Sequence, residues 1–180
     1  DYGRYIYAGY PKDQYIDAAF GDNYGALLDE SSRMLCFGAN DNGQCGNGTR
    51  DTARDPTPIT ESNKKWISVD CGRDHTVALD QSSYAWACGD HFRGMLGEGT
   101  NTDRSSTVSV LGGKQWISLK AGNATNGGQT YGLDSNSNLW VWGANVNYDG
   151  ELGDGTVGID RSSPVLAAGL SNPPKIFGKG

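Results

Sequence analysis

The sequence has no long hydrophobic run. Apolar stretches reach about six residues, as around residues 139–144, whereas a membrane-spanning helix needs roughly 20. No spanning helix and no membrane insertion are expected. An excess of basic charge is also missing. Fifteen Lys and Arg stand against 21 Asp and Glu, for a net charge of −6 and a pI near 4.8. The basic residues are scattered, which leaves no electrostatic footprint for a phosphate backbone and argues against nucleic acid as a direct partner. Aliphatic residues are scarce too: Leu, Ile, Val and Phe together number 31 of 180, a share that in a strongly charged chain would point to disorder. Five Trp, nine Tyr and four Phe compensate, because each aromatic ring buries a large area. What the sequence has in excess is glycine, 27 residues, about double the usual share of roughly 7%. That composition suits many short strands and tight turns and excludes a helical bundle. The sequence opens on Asp1 with no signal-peptide pattern, so a processed, excised or partial chain is expected and its compartment is not legible there.

An internal repeat organises the chain. Gly43-Gln44-Cys45-Gly46-Asn47-Gly48-Thr49 returns as Gly94-Met95-Leu96-Gly97-Glu98-Gly99-Thr100 and as Gly150-Glu151-Leu152-Gly153-Asp154-Gly155-Thr156, at spacings of 51 and 56 residues. A second landmark begins at Tyr15, Trp66 and Trp116 and ends at Gly21, Gly72 and Gly122. A third is a Leu-Asp pair followed nine residues after the Asp by Gly: Asp29 to Gly38, Asp80 to Gly89, Asp134 to Gly143. Three landmarks recur three times in one order, and a period near 50 residues marks a repeat architecture.

Within the middle unit, residues 66–71, 76–79, 84–88 and 107–111 are short runs rich in β-branched or aromatic residues and bounded by turn formers, which predicts four strands. Glu30-Ser31-Ser32, Gln81-Ser82-Ser83 and Ser135-Asn136-Ser137 have the length and polarity of hairpin turns. The glycines of the first landmark point to backbone with positive φ or close approach; a flexible linker would not keep their spacing. The core is expected from Trp66, Trp116, Ile67, Ile117, Leu79, Leu133, Leu96 and Leu152. Four-stranded units repeated along a chain give an all-β fold of β-propeller-type blades, with units at about 15–65, 66–115 and 116–174, and with 1–14 and 175–180 as parts of flanking units.

The wording of the repeat resembles the regulator of chromosome condensation repeat family. The resemblance rests on Cys71-Gly72, His75-Thr76-Val77-Ala78-Leu79, Trp142-Gly143-Ala144-Asn145, the Gly43–Gly48 motif and Pro164-Val165, and it covers essentially residues 15–170. It implies blades of a ring that numbers seven in the family, whereas this chain carries three full units. Self-association or the remainder of a longer chain is the expected completion. The resemblance also implies a choice among regulators of small GTPases, chromatin-associated proteins and secreted inhibitors. No wedge element or basic tail is evident, so extracellular or particle-surface scaffolding is preferred to nuclear exchange.

Catalytic chemistry finds little support. His75 and His91 are the two histidines, and His75 occupies a repeat position held elsewhere by Tyr24 and Gln129, which reads as placement by the repeat. Asp149, Glu151 and Asp154 lack EF-hand spacing, so neither metal nor cofactor is expected. There is no Gly-x-Ser-x-Gly elbow, and the glycine motifs precede no helix. Of Cys36, Cys45, Cys71 and Cys88, three align with apolar residues in other units; core packing is favoured, with a disulfide left open. Asn47 and Asn123 begin glycosylation sequons.

The third unit carries two insertions. Gly122 to Gln129 is four residues longer than Gly21 to Tyr24, and Gly143 to Gly150 is two longer than Gly38 to Gly43. In an up-and-down blade both loops emerge on one face, and insertions on a rigid repeat often mark the binding face; neutral drift in exposed loops is the alternative. The expected function is a non-catalytic module for protein–protein or particle-surface interaction. Tyr148 is its expected anchor, with Asn123, Asn126, Asn145 and Asn147 around it and His75, Phe92 and Arg93 extending the patch. A guanine-nucleotide exchange role and a glycan-binding module are the alternatives.

Overall fold

A computed structural model describes residues 14–60, 63–125, 127–146 and 150–167. Among these residues, twelve strands fall into three four-stranded antiparallel sheets, each in simple sequence order. The first blade is β1 (Tyr15–Phe20), β2 (Tyr24–Asp29), β3 (Met34–Gly38) and β4 (Ala53–Pro58). The second is β5 (Trp66–Cys71), β6 (His75–Asp80), β7 (Ala85–Gly89) and β8 (Arg104–Ser109). The third is β9 (Trp116–Ala121), β10 (Gln129–Asp134), β11 (Leu139–Gly143) and β12 (Arg161–Leu166). The last strand of the second blade starts three residues before the apolar run that predicts it. Its polar residues Arg104, Ser105 and Ser106 join the sheet because their backbone is claimed: Gly89 pairs with Arg104, and Gly48 N–H from the first blade donates to Ser105 O at 2.7 Å.

The Leu-Asp landmark is a turn clasp. Asp80 Oδ1 accepts the N–H groups of Ser82 at 2.9 Å and Tyr84 at 3.0 Å, while its Oδ2 accepts Trp86 Nε1–H at 2.9 Å. Asp134 repeats this with Asn136, Asn138 and Trp140. Asp29 substitutes the Arg33 guanidinium at 2.7 Å. These bonds let Ser32, Ser83 and Ser137 hold φ of 62°, 64° and 65°, a conformation short polar turn residues tolerate. Burial alone would raise the Asp134 carboxyl, but the Asn138 side chain and the surrounding N–H donors hold it below its ordinary value.

Two expected core residues are not in the core. Ile67 and Ile117 are 49% and 56% exposed. Each lies at a register shift: Trp66 pairs with Asp80 and Ser68 with Leu79, which leaves Ile67 as the extra residue of a β-bulge. Ile117 stands likewise between Trp116 and Ser118. The bulge breaks strict alternation, so neighbours of a buried Trp do not follow period 2. Leu133 is half-buried, whereas Trp66, Trp116, Leu79, Leu96 and Leu152 are buried as expected.

The core lies between blades. Tyr24, Leu28, Cys36, Cys45, Trp66 and Val69 pack in one cluster, and Val77, Leu79, Met95, Leu96, Trp116 and Trp142 in the next. The glycine motifs of the first two blades are joints to the following blade. A Cβ at Gly43 would sit 2.5 Å from Ser105 Cα, and one at Gly94 2.4 Å from Ser162 Cα, at φ of +84° and +85°. The backbone approach and the left-handed conformation both demand glycine. Among the cysteines, Cys36 and Cys45 are joined by a disulfide across the start of this joint, with Cα atoms 5.2 Å apart. Cys71 and Cys88 are free and buried, and burial pushes the Cys71 thiol up to about 12.

Candidate binding face between the second and third blades

Three loops meet where the second blade joins the third: 72–74 between β5 and β6, 90–103 between β7 and β8, and the described residues 122–125 and 127–128 between β9 and β10. Together they enclose an open cleft of about 170 Å³ whose walls include Arg73, Asp74, His75, Asp90, Phe92 and Thr125. The insertion of the third blade leans on its neighbour. Arg73 Nη1–H donates to Thr125 O at 3.0 Å, and a Cβ at Gly127 would lie 2.9 Å from Arg93 Cδ and 3.0 Å from Ala144 Cβ. Phe92 is on the rim and 53% exposed; its N–H donates to Asp90 Oδ1 at 2.8 Å. The Arg93 guanidinium stacks over that ring at 4.7 Å and pairs with Asp160 at 2.9 Å, which ties the rim to the third blade.

The floor is His75, fully buried. Its Nε2 lies 3.0 Å from Thr130 Oγ1, and Thr130 Oγ1–H donates to Met95 O at 2.8 Å. Nδ1 has no hydrogen-bond partner among the described residues. Burial, and secondarily the nearby His91, lower the imidazole to about 4, so it is neutral at pH 7. Burial also raises the Asp74 carboxyl against the opposing pull of Arg73. Asp90 is raised by burial as well; the Phe92 N–H opposes, and Asp103 and Asp74 add to the rise.

Of the expected site residues, the cleft gathers only some. Phe92 and Arg93 are on its rim, and Asn123 is exposed on the third-blade loop. His75 is a buried joint residue rather than part of an exposed patch: Tyr24 O–H donates to His75 O at 2.6 Å across the first joint. Asn145 is also buried and structural. Its N–H donates to Asp160 Oδ1 at 2.8 Å and its Nδ2 to Thr156 O at 3.2 Å, closing the glycine loop as Asn40 does with Thr49 O at 3.1 Å and Asp51 O at 3.0 Å. His91 fills the same place in the second blade, with Nδ1 accepting Leu96 N–H at 3.2 Å. Asn126, Asn147 and Tyr148 lie outside the described residues. Arg73, Asp74, Asp90 and Thr125 were not expected at the site. Their signal was their place on the same face as the insertions, which the repeat alignment supplies. Among the described residues no three His, Cys, Asp or Glu side chains are grouped to hold a metal; Asp154 is committed to Arg161 at 2.7 Å and Glu151 to Val146 N–H at 2.9 Å.

Sequential antiparallel blades joined face to face define a β-propeller repeat protein. The repeats are of a particular family. The family described as "Regulator of chromosome condensation (RCC1) repeat" matches residues 31–79, and a second model of that repeat matches 66–94; the chain is a member of this repeat family. It is 28% identical over 137 residues to the X-linked retinitis pigmentosa GTPase regulator of Canis lupus familiaris, covering 74% of this chain and 13% of that protein. It is 30% identical over 151 residues to the ultraviolet-B receptor UVR8 of Arabidopsis thaliana, covering 80% of this chain and 32% of the receptor. The structure of Prp20p from Saccharomyces cerevisiae superimposes with a TM-score of 0.74 at 18% identity, over 87% of this chain and 39% of Prp20p. The chain thus spans a third or less of these two relatives in sequence.

Proposed function

We propose that the chain is a non-catalytic protein-binding module, of the kind that scaffolds protein–protein or particle-surface contacts, and that it binds through the face of the cleft. The observation that supports this is the bridge from Arg73 to Thr125 at 3.0 Å, which makes two blades present one surface with an exposed aromatic ring at its rim. Aromatic and Arg side chains held on a rigid scaffold are what interface hot spots use. The test is quantitative affinity capture with the chain as bait. Arg73→Ala with Phe92→Ala should lower recovery of the dominant partner at least tenfold. Ser82→Arg with Asn136→Arg, on the exposed turns at the other end of the strands, should leave it unchanged. The reverse pattern refutes the reading. A second reading, exchange on a small GTPase, draws on the GTPase regulator among the relatives; accelerated release of fluorescent GDP from a panel of small GTPases would establish it instead.

A further inference from the structure

The glycine loops at the two joints close through different chemistry. In the first, Asn40 Oδ1 accepts Cys45 N–H at 2.9 Å, and an amide oxygen accepts at any physiological pH. In the second the equivalent residue is His91, fully buried, whose Nδ1 accepts Leu96 N–H at 3.2 Å. A ring nitrogen that accepts carries no proton, so the neutral imidazole has its hydrogen on Nε2. Nε2 lies 3.3 Å from Glu98 Oε1 without the alignment of a hydrogen bond. A proton added at Nδ1 would set N–H against N–H, and the loop closure cannot survive it.

What this closure holds is the joint itself. Leu96 is fully buried, and Gly94 and Gly97 are pressed against Ser162 and Trp142 of the third blade. Met95 O accepts Thr130 Oγ1–H at 2.8 Å and Trp142 Nε1–H at 3.0 Å. The loop is also strained. Arg93 has φ of +63°, a left-handed conformation that a long side chain keeps only when its surroundings impose it. Residues 40–49 of the first joint hold only glycines in that region, and the Cys36–Cys45 disulfide fastens them in addition. Residues 91–97 contain no cysteine.

Several charged groups face the His91 ring. Glu98 is paired with Arg104 of β8 at 3.1 Å. Asp103 accepts His91 N–H at 3.0 Å and pairs with Arg50 of the first blade at 3.3 Å. His75 of β6 is near enough to feel the ring's charge, and Asp90 turns its carboxylate to Phe92 N–H. Burial holds the imidazole below its ordinary value of 6.5; Glu98 and Asp103 oppose, and Arg104 adds to the lowering.

We infer that His91 is a proton-operated latch on the joint between the second and third blades, closed while its ring is neutral and released by acid. The loop it frees carries Phe92 and Arg93, but the latch does not depend on those residues binding a partner. A ring released to solvent regains its ordinary value, so the open form takes up the proton first as pH falls below 6.5. The open fraction then rises by up to about tenfold per pH unit until the closed form itself is protonated.

Hydrogen exchange of single amides in the ¹⁵N-labelled chain, corrected for the intrinsic rate, reads that fraction. Protection of Leu96 N–H should fall by up to about tenfold per pH unit below about pH 6.5. This exchange should be nearly independent of dilute urea, as for a local opening, and Cys45 N–H in the first joint should stay the better protected amide. His91→Asn, which installs the closure of the first joint, should flatten the fall, and His75→Gln should leave it in place. Protection of Leu96 that ignores pH overturns the inference, as does a fall that persists in His91→Asn. Two measurements on the unaltered chain decide the matter without any variant. Long-range ¹H–¹⁵N spectra at neutral pH should show the Nε2–H tautomer of His91; the Nδ1–H tautomer overturns the latch. So does a urea dependence of Leu96 exchange equal to that of global unfolding.

Discussion

Gly97 and Gly153 occupy the same position of the glycine motif in successive blades, and replacing each by alanine separates local strain from blade packing. Both backbones are left-handed, with φ of +71° and +62°, so each alanine costs about 1–2 kcal/mol from conformation alone. Their surroundings differ. A Cβ at Gly97 lies 2.6 Å from Trp142 Nε1 and 3.0 Å from its Cδ1, whereas a Cβ at Gly153 meets nothing within 4 Å among the described residues. Trp142 is fully buried and its indole N–H donates to Met95 O at 3.0 Å, so it has no free direction in which to yield. Overpacking of such a site costs roughly 1–3 kcal/mol, and a strained indole bond puts about another 1 kcal/mol at risk. Gly97→Ala should therefore destabilise by about 2–6 kcal/mol and Gly153→Ala by about 1–2 kcal/mol. Equilibrium urea unfolding followed by tryptophan fluorescence measures both. Equal losses, or a greater loss at Gly153, would refute the assignment of the glycine motif as the joint between blades.

Three further outcomes are expected. Leu96→Ala should cost about 2–5 kcal/mol, whereas Ile67→Ala, at a bulge and 49% exposed, should cost less than about 1 kcal/mol; urea midpoints distinguish them. His75 is neutral when folded, with its value lowered to about 4 from 6.5. The unfolded chain therefore takes up the proton first as pH falls, and stability declines from pH 6.5 towards 4 by up to about 3 kcal/mol. His75→Gln, the residue of the third blade at this position, should flatten that part of the thermal melting profile. Reducing the Cys36–Cys45 disulfide, which spans nine residues, should cost about 2–3 kcal/mol by the loop-entropy relation, measured as the urea midpoint with and without dithiothreitol.

The fold was legible because the repeat landmarks encode backbone requirements. Gly43, Gly94 and Gly150 all have positive φ, and Asp80 and Asp134 clasp the hairpin turns that their spacing announced. Ile67 and Ile117 were misjudged because a bulge adds a residue without changing composition. The side of the blades that carries the cleft was legible as a direction, through the insertions, but the residues that line the cleft were not. Asn145 looked like an adaptable surface amide, yet Asn40 and His91 stand at the same step after Gly38 and Gly89, a periodicity that marks loop closure. Arg73, Asp74 and Asp90 belong to a different blade from the insertion they meet, and a cleft formed between repeats has no contiguous sequence signature.

The joint between blades is directional. The first and second blades each offer a glycine loop to their successor, and the second and third receive one on their last strands, so near-identical parts run the risk of docking out of order, a characteristic failure of repeat proteins. The residues that differ at equivalent places act against that risk as a molecular address. Tyr24 reaches His75 O in one joint, whereas His75 reaches Thr130 Oγ1 in the next. The motif glycine faces Cys88 in the first and Trp142 in the second. A third blade pressed onto the first would set an indole where a thiol fits. Divergence among the repeats thus carries the order of assembly, and a chain evened out to one consensus blade would keep its stability while losing the information that says which blade comes next.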